Sequence, residues 1–141
     1  MTENQKDITC LRKKKAFFFD LDGTIYLGNK LFNNVQKLLS ILKNLNIYYF
    51  FLSNNSSKST KDYLLKLKKF GINISIENII LSQHPTIDYL KRNNFKKIFL
   101  LGTTSLKKEF EENDFELTES EPEILVLAFD QELTYKRLVK A

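Results

Sequence analysis

The sequence predicts an α/β fold built on a parallel sheet. Three observations predict it: two short, unbroken apolar runs that suit buried strands, a polar loop directly after each, and a helical pattern after each loop. The runs are Ala16-Phe17-Phe18-Phe19 and Ile47-Tyr48-Tyr49-Phe50-Phe51-Leu52. Strand, helix, strand, helix with short connections implies right-handed crossovers, and sheets of this kind bind ligands at the carboxyl ends of their strands.

Taken in order, residues 1–15 are polar and end in Arg12-Lys13-Lys14-Lys15, a charged gatekeeper in front of an aggregation-prone strand. The first run stops at Asp20-Leu21-Asp22-Gly23-Thr24. Val35, Leu38, Leu39, Leu42 and Leu45 then recur at helical spacing, which predicts an amphipathic helix over 33–45 with Asn33 or Asn34 as its cap. The second run leads into Ser53-Asn54-Asn55-Ser56-Ser57, expected to open a helix that reaches Phe70 and is closed by Gly71. Ile79-Ile80-Leu81 is a short strand, and Ser82-Gln83-His84-Pro85 is expected to be a hinge. A second alternating unit follows: helix near 85–93, strand near 97–101, helix near 104–112, strand near 124–128. Residues 132–140 begin a further helix without the Gly or Asn stop of a finished one, so the chain is expected to be the front part of a longer fold. The domain reading is 1–82 for the first unit and 83–141 for the second.

Composition narrows the function. Apolar residues make up 43% of the 141, and Gly and Pro are few, which argues against disorder. Lys and Arg exceed Asp and Glu by 22 to 17. The excess is spread over helix-like stretches, so nucleic acid is not expected as a partner. Cys10 is the only cysteine, which excludes an internal disulfide, and it has no zinc-ligand neighbours. No segment approaches the roughly 18 unbroken apolar residues of a membrane span, and a cytoplasmic protein is expected.

The chemistry-bearing residues are Asp20 and Asp22, just past a buried strand. Two carboxylates this close ionise together only with a cation nearby, and magnesium, which takes oxygen ligands and retains waters, suits them. Asp20 can then attack phosphorus as a nucleophile. Asp22 can protonate the leaving oxygen and later deprotonate water. Gly23 lets the backbone approach the ligand, and Thr24 is expected to hold Asp22 in place. Ser53 and Asn54, read as lying at a helix start, would receive phosphate through backbone amides and the Ser53 hydroxyl. Set against this, Asp20 to Thr24 can be an ordinary Asx turn, and Ser56 and Ser57 redundant helix caps.

Phe17-Phe18-Phe19-Asp20-Leu21-Asp22-Gly23-Thr24-Ile25-Tyr26-Leu27-Gly28 and Phe51-Leu52-Ser53-Asn54-Asn55-Ser56-Ser57 together closely resemble the haloacid dehalogenase superfamily. Within it they resemble the 4-nitrophenylphosphatase-like subfamily, which includes phosphoglycolate and pyridoxal phosphate phosphatases. The likeness extends through Thr86-Ile87-Asp88-Tyr89-Leu90, Ile98-Phe99-Leu100-Leu101-Gly102 and Leu125-Val126-Leu127-Ala128-Phe129-Asp130, which look like the opening of that subfamily's large α/β cap. The resemblance implies an incomplete Rossmann-like core with the first part of a cap. It implies a magnesium-dependent phosphatase acting on a small phosphorylated metabolite: a sugar phosphate, phosphoglycolate, a nucleotide or a 4-nitrophenyl phosphate-like ester. Asp20 would be nucleophile and metal ligand, and Asp22 acid/base and metal ligand through its carbonyl. Ser53, Asn54 and Asn55, with Gly23 and Thr24, would hold substrate. A homodimer through the cap of the full-length protein is a candidate assembly. The family's downstream Lys and acidic cluster have no counterpart before Ala141, so this chain is expected to lack part of the catalytic set.

His84 is read as structural, and Phe110, Phe115 and Tyr135 as core. Lys58, Lys61, Lys66 and Lys69 are read as a solvated face, with Lys58 near enough to the second loop to recruit anions. The rivals are phosphoryl transfer to another acceptor and a non-catalytic module, either a weak phosphate binder or a receiver-like domain. A receiver would need an acidic pair before its phosphorylated strand and lacks the Asp-x-Asp-Gly-Thr pattern.

Overall fold

The computed structural model describes residues 13–141. Cys10 and Arg12, and the expectations attached to them, lie outside the described residues. The chain groups into two compact units, 1–52 and 53–141.

In the first unit, β1 (Ala16–Asp20) and the body of β4 (Tyr48–Ser53) pair in parallel, from Ala16↔Tyr48 to Asp20↔Leu52. Phe17 and Phe19, two apart along the strand, stack at 6.0 Å, and Phe18 stacks across onto Phe50 at 5.1 Å. Such cross-strand aromatic pairs are what hold a short ladder together. The unbroken apolar run predicted a strand buried on both faces, yet Phe18 is 58% exposed. Among the described residues its face has its own ring stacking and no layer laid over it. β4 is joined to β1 through α1 (Val35–Asn44), which buries Val35, Leu39 and Leu42, while Leu38 and Leu45 of the predicted stripe are exposed. Asn34 precedes the helix with φ 66° and makes no side-chain cap. It serves as a residue tolerant of left-handed backbone rather than as the predicted hydrogen-bonding cap.

Between β1 and α1 lies a hairpin that the sequence did not reveal. β2 (Tyr26–Leu27) and β3 (Lys30–Leu31) pair antiparallel through a turn containing Gly28 at φ 57°.

The second unit begins at the end of β4. It contains α2 (Thr60–Lys69), a 3₁₀ turn (Ile76–Asn78), β5 (Ile79–Leu81), α3 (Gln83–Arg92), β6 (Lys97–Leu101), α4 (Thr104–Glu111), β7 (Glu116–Leu117), β8 (Ile124–Leu127) and α5 (Tyr135–Lys140). β6 is central to a parallel sheet of order β7, β6, β8. Leu90, Ile98, Leu100, Leu106, Phe110 and Phe115 form its core. Phe110 and Phe115 are thus core as expected, and Tyr135 is not: it is 82% exposed, because α5 has only six residues and buries none of them.

Two local expectations are corrected here. Ser82 to Pro85 is not a loop ahead of the helix: α3 begins at Gln83 and Pro85 sits in its first turn, where no amide is needed for the helix. The helix after the second loop begins at Thr60, not beside Ser53. Ser59 accepts from the Asp62 amide (3.2 Å) and Asp62 accepts from the Ser59 amide (2.9 Å), a reciprocal capping box that sets the start. Among the described residues, no helix is long and apolar enough to cross a membrane.

Candidate active site

The first loop is organised by one carbonyl. The amides of Thr24, Ile25 and Tyr26 approach the Leu21 oxygen at 3.3, 3.0 and 3.3 Å, and Leu21 itself is fully buried. Its neighbours Asp20 and Asp22, on either side, are exposed. The Gly23 amide donates back to the Tyr26 carbonyl at 2.7 Å, closing the turn with Gly23 at φ 87°. A Cβ on Gly23 would meet nothing within 4 Å, so glycine is needed for its backbone conformation and not for space. Gly23→Ala is therefore expected to cost about 1 kcal/mol or more. Urea unfolding of the two proteins side by side measures this, and an unchanged midpoint would contradict it.

Thr24 does not hold Asp22. Its hydroxyl donates to Asp20 Oδ2 at 3.4 Å, a long contact, while the buried Tyr26 donates its phenol to Asp22 Oδ2 at 3.2 Å. The reason is the turn: four residues separate each donor from its acceptor, and the closed loop returns Thr24 over Asp20 and Tyr26 over Asp22. Tyr26 is the residue missed from sequence, and its spacing of four from Asp22 was the available signal.

In the second unit, Ser53 is buried at the end of β4. Its hydroxyl shares a 3.0 Å hydrogen bond with the Tyr63 hydroxyl and accepts from the Asn55 amide at 3.2 Å. Asn55 Oδ1 accepts from both the amide (3.0 Å) and the hydroxyl (2.7 Å) of Ser57. Asn54 alone of the three is exposed, and its carbonyl accepts from Ser82 Oγ at 3.4 Å. The loop is thus held by its own side chains. Ser56 and Ser57 are not redundant caps: Ser56 Oγ accepts from the Phe129 amide (2.8 Å), and the Ser57 carbonyl accepts from Thr103 Oγ1 (2.9 Å). Because α2 starts six residues beyond Asn54, the helix dipole expected behind Ser53 and Asn54 acts elsewhere, and the Thr60 amide is already given to Glu109 at 3.0 Å.

A 290 Å³ cavity adjoins Asn54 and Ser56, walled on its apolar side by Leu106, Phe110 and Val126. A wider concavity of 920 Å³ surrounds Thr60, His84 and Glu109. There the groups satisfy one another: His84 Nε2 meets Thr60 Oγ1 at 2.8 Å and Glu109 at 3.6 Å, while Nδ1 accepts from the Leu81 amide at 3.4 Å. These contacts tie His84 to β5, α2 and α4. Lys61 lies on an exposed face, as read, where it pairs with Glu112 at 2.5 Å.

A family model described as haloacid dehalogenase-like hydrolase matches residues 17–116, from the strand before Asp20 to the start of β7. The chain belongs to that family. Among haloacid dehalogenase-like hydrolases, phosphoglycolate phosphatase 1A, a chloroplastic protein of Arabidopsis thaliana, is 36% identical over 100 residues, 69% of this chain and 28% of that one. The acid sugar phosphatase of Staphylococcus saprophyticus is 27% identical over 133 residues, 93% of this chain and 51% of its own length. The crystal structure of 4-nitrophenylphosphatase from Thermotoga maritima superposes with a TM-score of 0.87 at 40% identity, covering 92% of this chain and 50% of that one. The chain spans about half the length, or less, of these haloacid dehalogenase-like relatives. All three carry the name phosphatase, in keeping with the resemblance drawn from the two loop motifs.

Proposed function

We propose that this chain carries the nucleophile and the acid/base of a phosphatase that hydrolyses a small phosphate monoester through an aspartyl-phosphate on Asp20. One observation carries the reading: two exposed carboxylates flank a fully buried leucine at the carboxyl end of a parallel strand, with Asp20 in register with Leu52, the residue before Ser53. That is where a parallel sheet presents ligand-binding loops. The names of the relatives support the ester chemistry. Residues 1–82 are assigned to the core and 83–141 to the opening of a cap, on the renewed alternation that starts at α3.

In the first step a carboxylate oxygen of Asp20 attacks phosphorus, and the bond from phosphorus to the alcohol oxygen breaks as Asp22 gives that oxygen its proton. In the second, Asp22 takes a proton from water as the water oxygen attacks phosphorus, and the bond to Asp20 breaks to release phosphate. Tyr26 fixes the carboxylate that must act twice. Gly23, Thr24, Ser53, Asn54 and Asn55 are assigned to the phosphoryl group, with Asn54 the exposed member of the second trio.

The donors fit magnesium. They are carboxylate and carbonyl oxygens only. A hard ion held by one or two carboxylates and completed by substrate oxygens suits such an open pair, so Asp20 and the Asp22 carbonyl would hold it. When bound, magnesium supplies charge stabilisation to the phosphoryl oxygens. The expected compartment is the cytoplasm, and no nucleic-acid polymer is invoked.

Nitrophenolate release from 4-nitrophenyl phosphate is expected to require magnesium and to stop with EDTA, whereas activity retained in EDTA would refute the metal assignment. A second reading follows from the 50% coverage of the Thermotoga maritima chain: the 141 residues bind phosphate without turning it over. Phosphate binding with no nitrophenolate release, and release regained in a chain lengthened to match the relatives, would favour it.

A further inference from the structure

At the opposite end of β1 from Asp20, Lys13, Lys14 and Lys15 border a 650 Å³ concavity together with Leu45, Asn46 and Tyr48. We infer that this concavity is a second anion site, one that takes a nucleoside polyphosphate. Three ammonium groups on consecutive residues repel one another. Among the described residues none of the three side chains has a carboxylate or other polar partner. Their charge is therefore left for a ligand or for solvent, and a chain of two or three phosphates matches three ammoniums where a monoester does not. The gatekeeper reading of these lysines accounts for the charge alone. It does not account for Tyr48, which is 71% exposed beside them, nor for Leu45, 57% exposed at the same rim.

An exposed aromatic ring next to a line of cations is how proteins seat a base while holding its phosphates. The Tyr48 backbone is fixed by the hydrogen bond its amide donates to the Lys15 carbonyl at 3.0 Å, so ring and lysines are tied to the same strand ends. The volume falls within the roughly 300–1,000 Å³ of small-molecule sites. Five strand steps separate Lys15 from Asp20, roughly 17 Å, so one small ester cannot touch both ends.

The test is titration calorimetry of the intact chain with adenosine triphosphate, and with inorganic triphosphate as the arm lacking a base. Adenosine triphosphate is expected to bind about 10-fold more tightly than inorganic triphosphate, the increment of one stacked base. Tyr48→Ala should remove that increment and leave inorganic triphosphate binding alone. Replacing Lys13, Lys14 and Lys15 together by Gln should weaken both ligands by about 30-fold or more at low salt. Asp20→Asn should change neither. All four side chains are exposed, so circular dichroism of each variant should match the parent. The inference is overturned if the lysine changes leave binding intact, if Asp20→Asn abolishes it, or if the two triphosphates bind equally. Tighter binding of a single-stranded oligonucleotide than of adenosine triphosphate would also overturn it.

Discussion

Asp20→Asn is expected to lower nitrophenolate release by at least about three orders of magnitude, in any length of the chain that turns over the ester. The amide is nearly the same size as the carboxylate, so the Leu21-centred loop and the Thr24 contact need not rearrange. What is lost is the negative oxygen that forms the bond to phosphorus, and with it one of two donors assigned to the metal. Asp22→Asn should also be severe, yet it should separate the steps, because the first uses Asp22 as an acid and the second as a base. An ester with a good leaving group, such as nitrophenolate, needs little protonation to depart. With Asp22→Asn, phosphoryl-enzyme should therefore accumulate from nitrophenyl phosphate, visible as a burst. Rates within tenfold of the parent in Asp20→Asn would remove Asp20 from the chemistry.

Glu109→Leu is expected to destabilise the second unit by about 3 kcal/mol. Glu109 accepts from the Thr60 amide (3.0 Å), the Thr60 hydroxyl and Gln83 Nε2 (3.1 Å), and it lies 3.6 Å from His84. Leucine would keep the bulk, leave the Thr60 amide without its acceptor and leave Gln83 Nε2 with the Lys58 carbonyl alone, and an unpaired donor costs more than a hydrogen bond gains. Burial works to raise the pKa of Glu109, but the bonds from His84, Thr60 and Gln83 together outweigh it and hold the group below its ordinary value of 4.5. The folded state thus favours the carboxylate. Its contribution is complete above 4.5 and is lost as the pH falls from there through the lower folded pKa. Urea midpoints should therefore drop less between neutral and acid pH in Glu109→Leu than in the parent. As a control, Glu112→Ala removes only the exposed pair with Lys61 and should cost less than about 1 kcal/mol. Equal losses from the two substitutions would show that the buried network carries no special weight.

The two networks differ in how far each could be read from residue order. Ser59-x-x-Asp62 announces its own helix start, and the box forms as such patterns do. Ser53 to Ser57 offers an earlier cluster of hydroxyls that competes with it, yet those hydroxyls bond to Tyr63, to Asn55 and to the Phe129 amide, while the Ser57 carbonyl accepts from Thr103. The β2–β3 hairpin and β7 have two residues per strand, too short for any alternation to register. The longer elements stood out because a buried strand or an amphipathic helix repeats its signal over a turn or more, and the Asp20 and Ser53 loops stood out because each interrupts an apolar run abruptly.

By itself, the sequence determined the order of the longer strands and helices, the parallel pairing of β1 with β4 and the pair of acids at a strand end, all set by patterns spanning a few neighbouring residues. Only the tertiary structure decided that Tyr26 rather than Thr24 holds Asp22, that Phe18 lies open, and that Glu109 collects the donors of Thr60 and Gln83. Thr60 and Glu109 are 49 residues apart in the chain. No local period encodes such a meeting, because it exists only once packing has brought α2, α3 and α4 together, and burial then makes each polar partner obligatory.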